Sequence, residues 1–219
     1  MIFPIGDDNI ERGHAPFFSY LLLGLNIAVF FWQMTMPNED ALCFVQQYGA
    51  IPAEIAQGQN VYTLVTSIFL HGGWAHLLGN MLYLWIFADN IEAVVGNVKF
   101  MVFYLIGGII AGLVQVLIAP GSQIPCIGAS GAIAAVMGAY ITMFPHSRVK
   151  MMFFIFFAFY VPSWAFLGIW FIQQAMSGVN ALGISGPETG GVAWWAHIGG
   201  FIFGWIAGRY FKRRVAHYA

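Results

Sequence analysis

Phe100–Ala119 reads FMVFYLIGGIIAGLVQVLIA, twenty residues without one charge. Coiled as a helix, it rises about 30 Å, the thickness of a bilayer's hydrocarbon core. The run is continuously apolar, with none of the strict alternation that a barrel strand shows. Five further stretches are of the same kind or close to it, at 17–36, 74–95, 127–144, 151–176 and 192–211. The second carries Asp89 and Glu92 near one end, and the fourth is short and glycine-rich. The expected fold is therefore all-α, a polytopic membrane bundle of six helices. Composition agrees, with 60% hydrophobic and 8% charged residues and a mean hydropathy of +0.76. A soluble domain carries about 25% charged residues, and so few could not clothe a surface facing water.

Working outward, the cations predict the orientation. Arg12, Lys99, Arg148, Lys150, Arg209, Lys212, Arg213 and Arg214 are all the Lys and Arg in the chain. With six spans, each falls in the N-terminal segment, the 96–99 turn, the 145–150 turn or the C-terminal end. The loops at 37–73, 120–126 and 177–191 hold none. Positive charge marks the cytosolic side, so both termini are expected there, with the second, fourth and sixth helices descending from the outer face. The first fifteen residues include Asp7, Asp8 and Glu11 and lack the apolar core of a cleavable signal. The expected organisation is a short cytosolic N-terminus (1–16), one membrane domain (17–211) and a basic tail (212–219). A net charge of −1 and no basic stripe leave no support for a nucleic-acid partner.

The outer loops are uneven. The first is long and contains apolar stretches at 42–48 and 61–70, expected to lie partly in the membrane interface. The last, SGVNALGISGPETGG (177–191), is rich in glycine and serine; it reads either as a passive connector or as a mobile cover. Cys43 and Cys126 both fall in outer loops, where unpaired thiols are the default reading and a disulfide the alternative.

Polar side chains inside an apolar span are costly and mark function. His76 and Asn80 lie four apart on the second helix, Ser130 opens the fourth within Gly128-Ala129-Ser130-Gly131, and His197 is near the start of the sixth. Three separate stretches thus bring polar groups to one depth, just below the outer face. Ser130, Ala134 and Gly138 form a small-residue stripe, and His197 heads another made of Gly200, Gly204 and Gly208. Such stripes let helices approach closely in membranes. Placed together, they would bring the Ser130 hydroxyl within reach of the His197 ring. The chemistry available is acyl transfer, with histidine taking the proton that leaves serine nucleophilic. Asn80, His76 and the Ser130 backbone N–H are candidate donors to the resulting oxyanion. No acid completes a triad: Asp89 lies roughly 20 Å down the helix from His76, and Glu188 is in the last outer loop. A Ser130–His197 dyad is expected.

These residues resemble the rhomboid family of intramembrane serine proteases. The resemblance rests on His71-Gly-Gly-Trp-Ala-His76-Leu-Leu-Gly-Asn80, on Gly128-Ala-Ser130-Gly131, and on Ala196-His197-Ile-Gly-Gly200-Phe-Ile-Phe-Gly204, in the family's order. Glu92 matches an acidic residue near the foot of the second helix. The resemblance implies Ser130 as nucleophile, His197 as general base, Asn80 and His76 as the oxyanion-stabilising pair, and no cofactor or metal. His71 aligns with a further family histidine. The fifth helix (151–176, with Pro162 as a kink) and the loop at 177–191 correspond to the family's gate and cap. Substrates would be single-span membrane proteins, cut near the outer end of a helix-destabilising segment within the lipid bilayer. Two positions depart from the pattern. Ala134 stands where an aromatic often packs against the base, leaving Trp194 or Trp195 for that task, and Val61-Tyr62-Thr63 replaces a Trp-Arg pair.

Two other classes of function stay open on these residues. One is a non-catalytic rhomboid-like protein that binds membrane clients, although such relatives typically lack the serine or the histidine. The other is a haem or metal protein using His76 and His197, which leaves Ser130 and Asn80 without a role. The short N-terminus leads to the expectation of a prokaryotic plasma membrane.

Overall fold

The computed structural model describes residues 2–8, 13–154, 156–183 and 192–215. In chain order come β1 (Ile2–Asp7), α1 (Phe17–Met34), α2 (Asn38–Tyr48), α3 (Pro52–Ala56), α4 (Thr63–Thr66), a 3₁₀ turn (Ser67–Phe69) and α5 (Trp74–Val95). Then follow α6 (Asn97–Ile118), α7 (Ser130–Met143), β2 (Arg148–Phe153), β3 (Phe157–Pro162), α8 (Ser163–Gly183) and α9 (Trp194–Val215). The chain is mostly helical. Among the described residues, α1 and α6 are long and apolar enough to cross a membrane by length and composition, and α7 is apolar but shorter. The other long helices carry diluting polar groups: His76, Asn80, Asp89 and Glu92 in α5, Gln173, Gln174 and Asn180 in α8, His197 and Arg209 in α9. Six spans remain the reading of the sequence rather than a property of each helix alone.

α7 is the axis of the fold. Its residues from Gly131 to Tyr140 are all buried, so it is apolar all round, as a fully enclosed helix must be. At fourteen residues it rises only about 21 Å, too short to cross the hydrocarbon core end to end. α9 lies against it at backbone contact. A Cβ on Gly200 would overlap the Gly131 carbonyl oxygen, one on Gly204 the Ala135 carbonyl oxygen, and one on Gly208 would come within 2.8 Å of Ala139. The α9 stripe is the one expected from the sequence. On α7 the facing row is Gly131, Ala135 and Ala139, with Gly138 beside it under Phe201, so the contact row is displaced by one residue from Ser130–Ala134–Gly138. Small residues occur almost all round α7, which is why spacing alone does not single out the row.

Outside this core the surface is apolar. Phe17, Leu25, Phe31 and Trp32 on α1, Val102, Leu113 and Leu117 on α6, Ile169, Ile172, Met176 and Val179 on α8, and Ile202 and Ile206 on α9 all point outward. Apolar faces this extensive are abnormal in water and suit lipid. Glu92 of α5 is fully buried. Its carboxylate accepts the backbone N–H groups of Phe18 (2.8 Å) and Ser19 (2.7 Å) and the Ser19 hydroxyl (2.6 Å). These are the orphan donors at the start of α1, where the dipole also favours an anion. α5 therefore caps α1, whose own N-cap residue is Pro16 and makes no side-chain cap.

The expectation of one helix over 151–176 is corrected. β2 and β3 form an antiparallel hairpin pairing Arg148 with Pro162 and Phe153 with Phe157, and β1 adds to the free edge of β2 to give the order β1-β2-β3. Val149 and Met151 turn inward and are buried while Arg148 faces out, the period of two that defines a strand. β3, FAFYVP, is aromatic and β-branched, as strands prefer. Pro162 is thus no kink inside a helix. It ends β3, and α8 begins at Ser163, whose N–H donates to Ser147 O (2.8 Å) and whose hydroxyl donates to Phe144 O. The segment 1–16, read as a plain terminus, contributes β1. Part of the loop 177–191 is helical, since α8 runs to Gly183; the rest of that loop, with Glu188, and Arg12 and residues 216–219 lie outside the described residues. Cys43 and Cys126 are both free thiols, and α2 buries no residue.

Two outcomes follow. Gly204→Ala should cost about 1–3 kcal/mol, the usual penalty of overpacking a tight contact, read as a lower unfolding temperature in detergent; an unchanged temperature would mean that the backbones do not meet there. Asp7 of β1 accepts hydrogen bonds from Tyr140 Oη and from Asn90 Nδ2 (2.8 Å). Burial, with the nearby Asp89 and Asp8 carboxylates adding to it, pushes its carboxyl up to about 7. A raised folded-state value means that docking of β1 is strongest below about pH 4 and weakens as pH rises towards 7. Hydrogen exchange in residues 2–7 should accordingly quicken over that range beyond its intrinsic rise, and Asp7→Asn should remove the excess.

Candidate active site

The loop before α7 and the first turn of α5 are pressed together. Gly128 has φ +116, a conformation that L side chains rarely adopt, and a Cβ there would lie 2.5 Å from His76 Nε2 and 3.4 Å from Asn80 Nδ2. Only glycine lets the chain pass against the imidazole and the amide before turning into α7. Its N–H is anchored to Ser67 O at 2.9 Å. Ser130, the first residue of α7, then presents its hydroxyl and one of the helix's unpartnered N–H groups beside His76 and Asn80. Across the cavity, α9 brings His197 Nε2 to 2.8 Å from Ser130 Oγ.

All four residues singled out from the sequence, His76, Asn80, Ser130 and His197, line one cavity of about 970 Å³. Its wall is completed by Gly72, Gly73, Tyr83, Ile127, Met137, Trp170, Gln173, Gln174 and Trp194, among others. It therefore draws on α5, α7, α8 and α9. The lining is largely apolar and these four polar groups converge within it, as a site that orients a largely apolar ligand requires. Asp89 takes no part; its carboxylate faces the N–H of Asn90, near Asp7 at the far end of α5.

His71, which the sequence left without a definite task, holds Asn80. Asn80 Nδ2 donates to His71 Nε2 at 3.0 Å, leaving the second amide hydrogen of Asn80 for the cavity. Gln33 of α1 fixes His71 in turn, accepting its backbone N–H at 3.1 Å and donating to its carbonyl at 3.4 Å. Burial, and to a smaller degree the neighbouring His76, push the His71 imidazole down to about 4, so it stays neutral and can accept.

Two side chains beside the base were not anticipated. Gln174 Oε1 lies 2.8 Å from His197 Nδ1. Trp170, one turn earlier on α8, tilts over the His197 ring with centroids 5.9 Å apart, and Trp194 meets it edge-on at 6.2 Å. Trp194 is one of the two alternatives expected to stand in for the aromatic missing at Ala134, and Trp170 joins it at the ring. The signal for Gln174 was present in the sequence, because Gln173-Gln174 is a pair of amides in an apolar stretch and the rule that drew attention to His76 and Asn80 applies equally to them.

Comparison with known proteins agrees with this geometry. The pattern of the Rhomboid domain matches residues 58–214. The chain is 29% identical over 209 residues to Rhomboid protein 1, mitochondrial, of Saccharomyces cerevisiae, covering 93% of this chain and 56% of that protein. It is 31% identical over 149 residues to the human presenilin-associated rhomboid-like protein, mitochondrial (64% of this chain, 35% of that one). Against the rhomboid protease GluP of Bacillus subtilis it is 33% identical over 133 residues (60% and 25%). The chain thus spans about half or less of the length of these relatives. The expectation of a prokaryotic plasma membrane is overturned: a relative matching over nearly the whole chain, and the presenilin-associated ones, are named as mitochondrial proteins. That expectation rested only on where the sequence starts, and a start point carries no such information. On a domain match that takes in Ser130, His76, His197 and the glycine stripe of α9, the chain belongs to the rhomboid family.

Proposed function

We propose that this protein is an intramembrane serine endopeptidase that cleaves single-span membrane proteins, within a bundle of six spans, near the face opposite its cations. The observation that carries this is the 2.8 Å approach of Ser130 Oγ to His197 Nε2 in a cavity walled by four helices. Family membership supports the same reading, as does the name of the Bacillus relative, a rhomboid protease.

The steps follow from the groups present. His197 Nε2 removes the Ser130 hydroxyl proton as Oγ attacks the scissile carbonyl carbon. The oxygen of that carbonyl gains negative charge and is met by the Ser130 N–H, by Asn80 and by His76, all arranged beforehand. The imidazolium returns its proton to the departing amide nitrogen, the C–N bond breaks, and an acyl-serine remains. Water entering from the nearby face then loses a proton to the same Nε2 and attacks the acyl carbon. The serine is released with its proton restored, along with a carboxylic acid product. Two features favour this over a client-binding role: serine and histidine are both present, and they already face each other within hydrogen-bonding distance.

Ser130→Ala and His197→Ala should each abolish cleavage of a single-span substrate reconstituted in liposomes. A fluorophosphonate should label Ser130 in the wild type and leave Ser130→Ala unmarked. Asn80→Ala should retain a residue of activity, because one oxyanion donor is worth on the order of 10²–10³ in kcat, and His76→Ala should fall in the same range. Undiminished proteolysis by Ser130→Ala would sink the reading.

A further inference from the structure

We infer that Gln174 is a positioning residue for the base, and that it ties the competence of His197 to the seating of α8. This rests on the protease reading and adds to it a third partner that is not an acid. The amide oxygen Oε1 can only accept a hydrogen bond, so in its 2.8 Å contact the proton resides on His197 Nδ1. The lone pair is thereby left on Nε2, facing the Ser130 hydroxyl at 2.8 Å. The opposite tautomer would put a hydrogen between Nε2 and Oγ and leave the ring unable to take the serine proton. Gln174 is only 5% exposed, so water does not compete for the contact. Trp170, four residues earlier and so on the same helical face, leans over the ring. α8 thus holds the imidazole at two points, one on its face and one at Nδ1.

The placement of this seat on α8 matters because α8 is held differently from its neighbours. α7 and α9 are locked together by glycine contacts, so their backbones keep Ser130 and His197 opposed whatever α8 does. α8 is tied by polar bonds at its first turn, through Ser163 and Trp164 to Phe144, Ser147 and Pro145. Among the described residues, the Gln174–His197 bond is the one side-chain hydrogen bond it makes beyond that turn. Displacing the body of α8 would leave the nucleophile and the base at their posts and free the imidazole to rotate or change tautomer. A closed α8 is therefore part of the catalytic state, in addition to walling the cavity.

Replacing Gln174 should separate catalysis from binding. Gln174→Ala should lower kcat on the order of 10-fold, the worth of one hydrogen bond, with little change in KM. In ¹⁵N-histidine spectra its His197 should change from a ring protonated at Nδ1 to a mixture of tautomers. Gln174→Glu keeps the length and the acceptor, guarding against a folding artefact, and should recover most of kcat. A carboxylate at Nδ1 favours the imidazolium, so the acid limb of its kcat profile should move to higher pH by about a unit or more, a shift that a purely packing role would not produce. The other titratable groups lining the cavity are His76 and Tyr83 of α5. They are unchanged in these variants, so a moved limb belongs to the new pair. If the wild type labels at Ser130 while Gln174→Ala matches its kcat and Gln174→Glu leaves the limb in place, the assignment of Gln174 fails and the protease reading stands. Absence of cleavage and of Ser130 labelling in the wild type would overturn both.

Discussion

Gly200 and Gly204 of α9 rest on the carbonyls of Gly131 and Ala135 of α7, and two helices that close have little freedom left to rotate or slide. In lipid there is no hydrophobic gain from bringing apolar helices together, so packing and interhelical contact must supply the association. The glycines supply it by removing the side chains that would keep the backbones apart. Ser130 and His197 stand at the head of this contact, and their separation follows from it. A hydroxyl and an imidazole on helices spaced by leucines would be several ångströms further apart and without a defined mutual depth.

Around that contact the buried polar groups form two layers. At the cavity end a relay runs from Gln33 through His71 to Asn80, so α1, absent from the cavity wall among the described residues, still helps set where the Asn80 amide points. At the other end Glu92 caps α1, and Asp7 joins β1 to Asn90 and Tyr140. Between the layers the interior is largely aliphatic and aromatic, with Asn26 donating to Leu22 O at 2.7 Å. The buried Glu92 carboxylate is satisfied by the start of α1, which is what lipid demands of buried donors and acceptors. His71 Nδ1 in the relay, by contrast, is buried without a hydrogen-bond partner among the described residues. The exposed Asp8–Arg148 pair (3.1 Å) adds little, as surface ion pairs generally do.

The site was more legible in the sequence than the fold around it, for a physical reason. In an apolar chain each polar residue stands out, and His76, Asn80, Ser130 and His197 could be gathered by depth alone. Periodicity was a poorer guide because it needs contrast. Along 151–162 no residue is charged. Phe159 and Val161 pack on the core while Tyr160, at the alternate position, faces outward, so both faces of β3 are apolar and the alternation of a strand is hidden in a continuous run. Arg148 and Lys150, which alternate with buried Val149 and Met151, stand outside that run. Pro162 is the readable mark of a break, but inside an apolar run a proline suits a kinked helix as well as the end of a strand. The same lack of contrast displaced the α7 contact row from Ala134 to Ala135. Gln174 is hidden for another reason: the third member of a serine–histidine site is ordinarily an acid, and an amide does not match that pattern.

An amide is nonetheless the better partner at this depth. A carboxylate at Nδ1 would stabilise the imidazolium strongly, but removing a second charge from water is costly and is repaid only when its remaining lone pairs are well bonded. Between cycles, with His197 neutral, such an acid would be a buried charge facing an uncharged ring. Gln174 avoids that state. On the protease reading, its dipole orders the tautomer at rest and would still accept from Nδ1–H when the ring becomes charged. It attracts the imidazolium less than a carboxylate would, leaving the ring readier to give its proton to the departing nitrogen. Trp170 and Trp194 limit ring rotation by contact alone, at no cost in charge. In this setting a neutral partner is what a low-dielectric surrounding favours, and the proposed dyad needs no acid beside it.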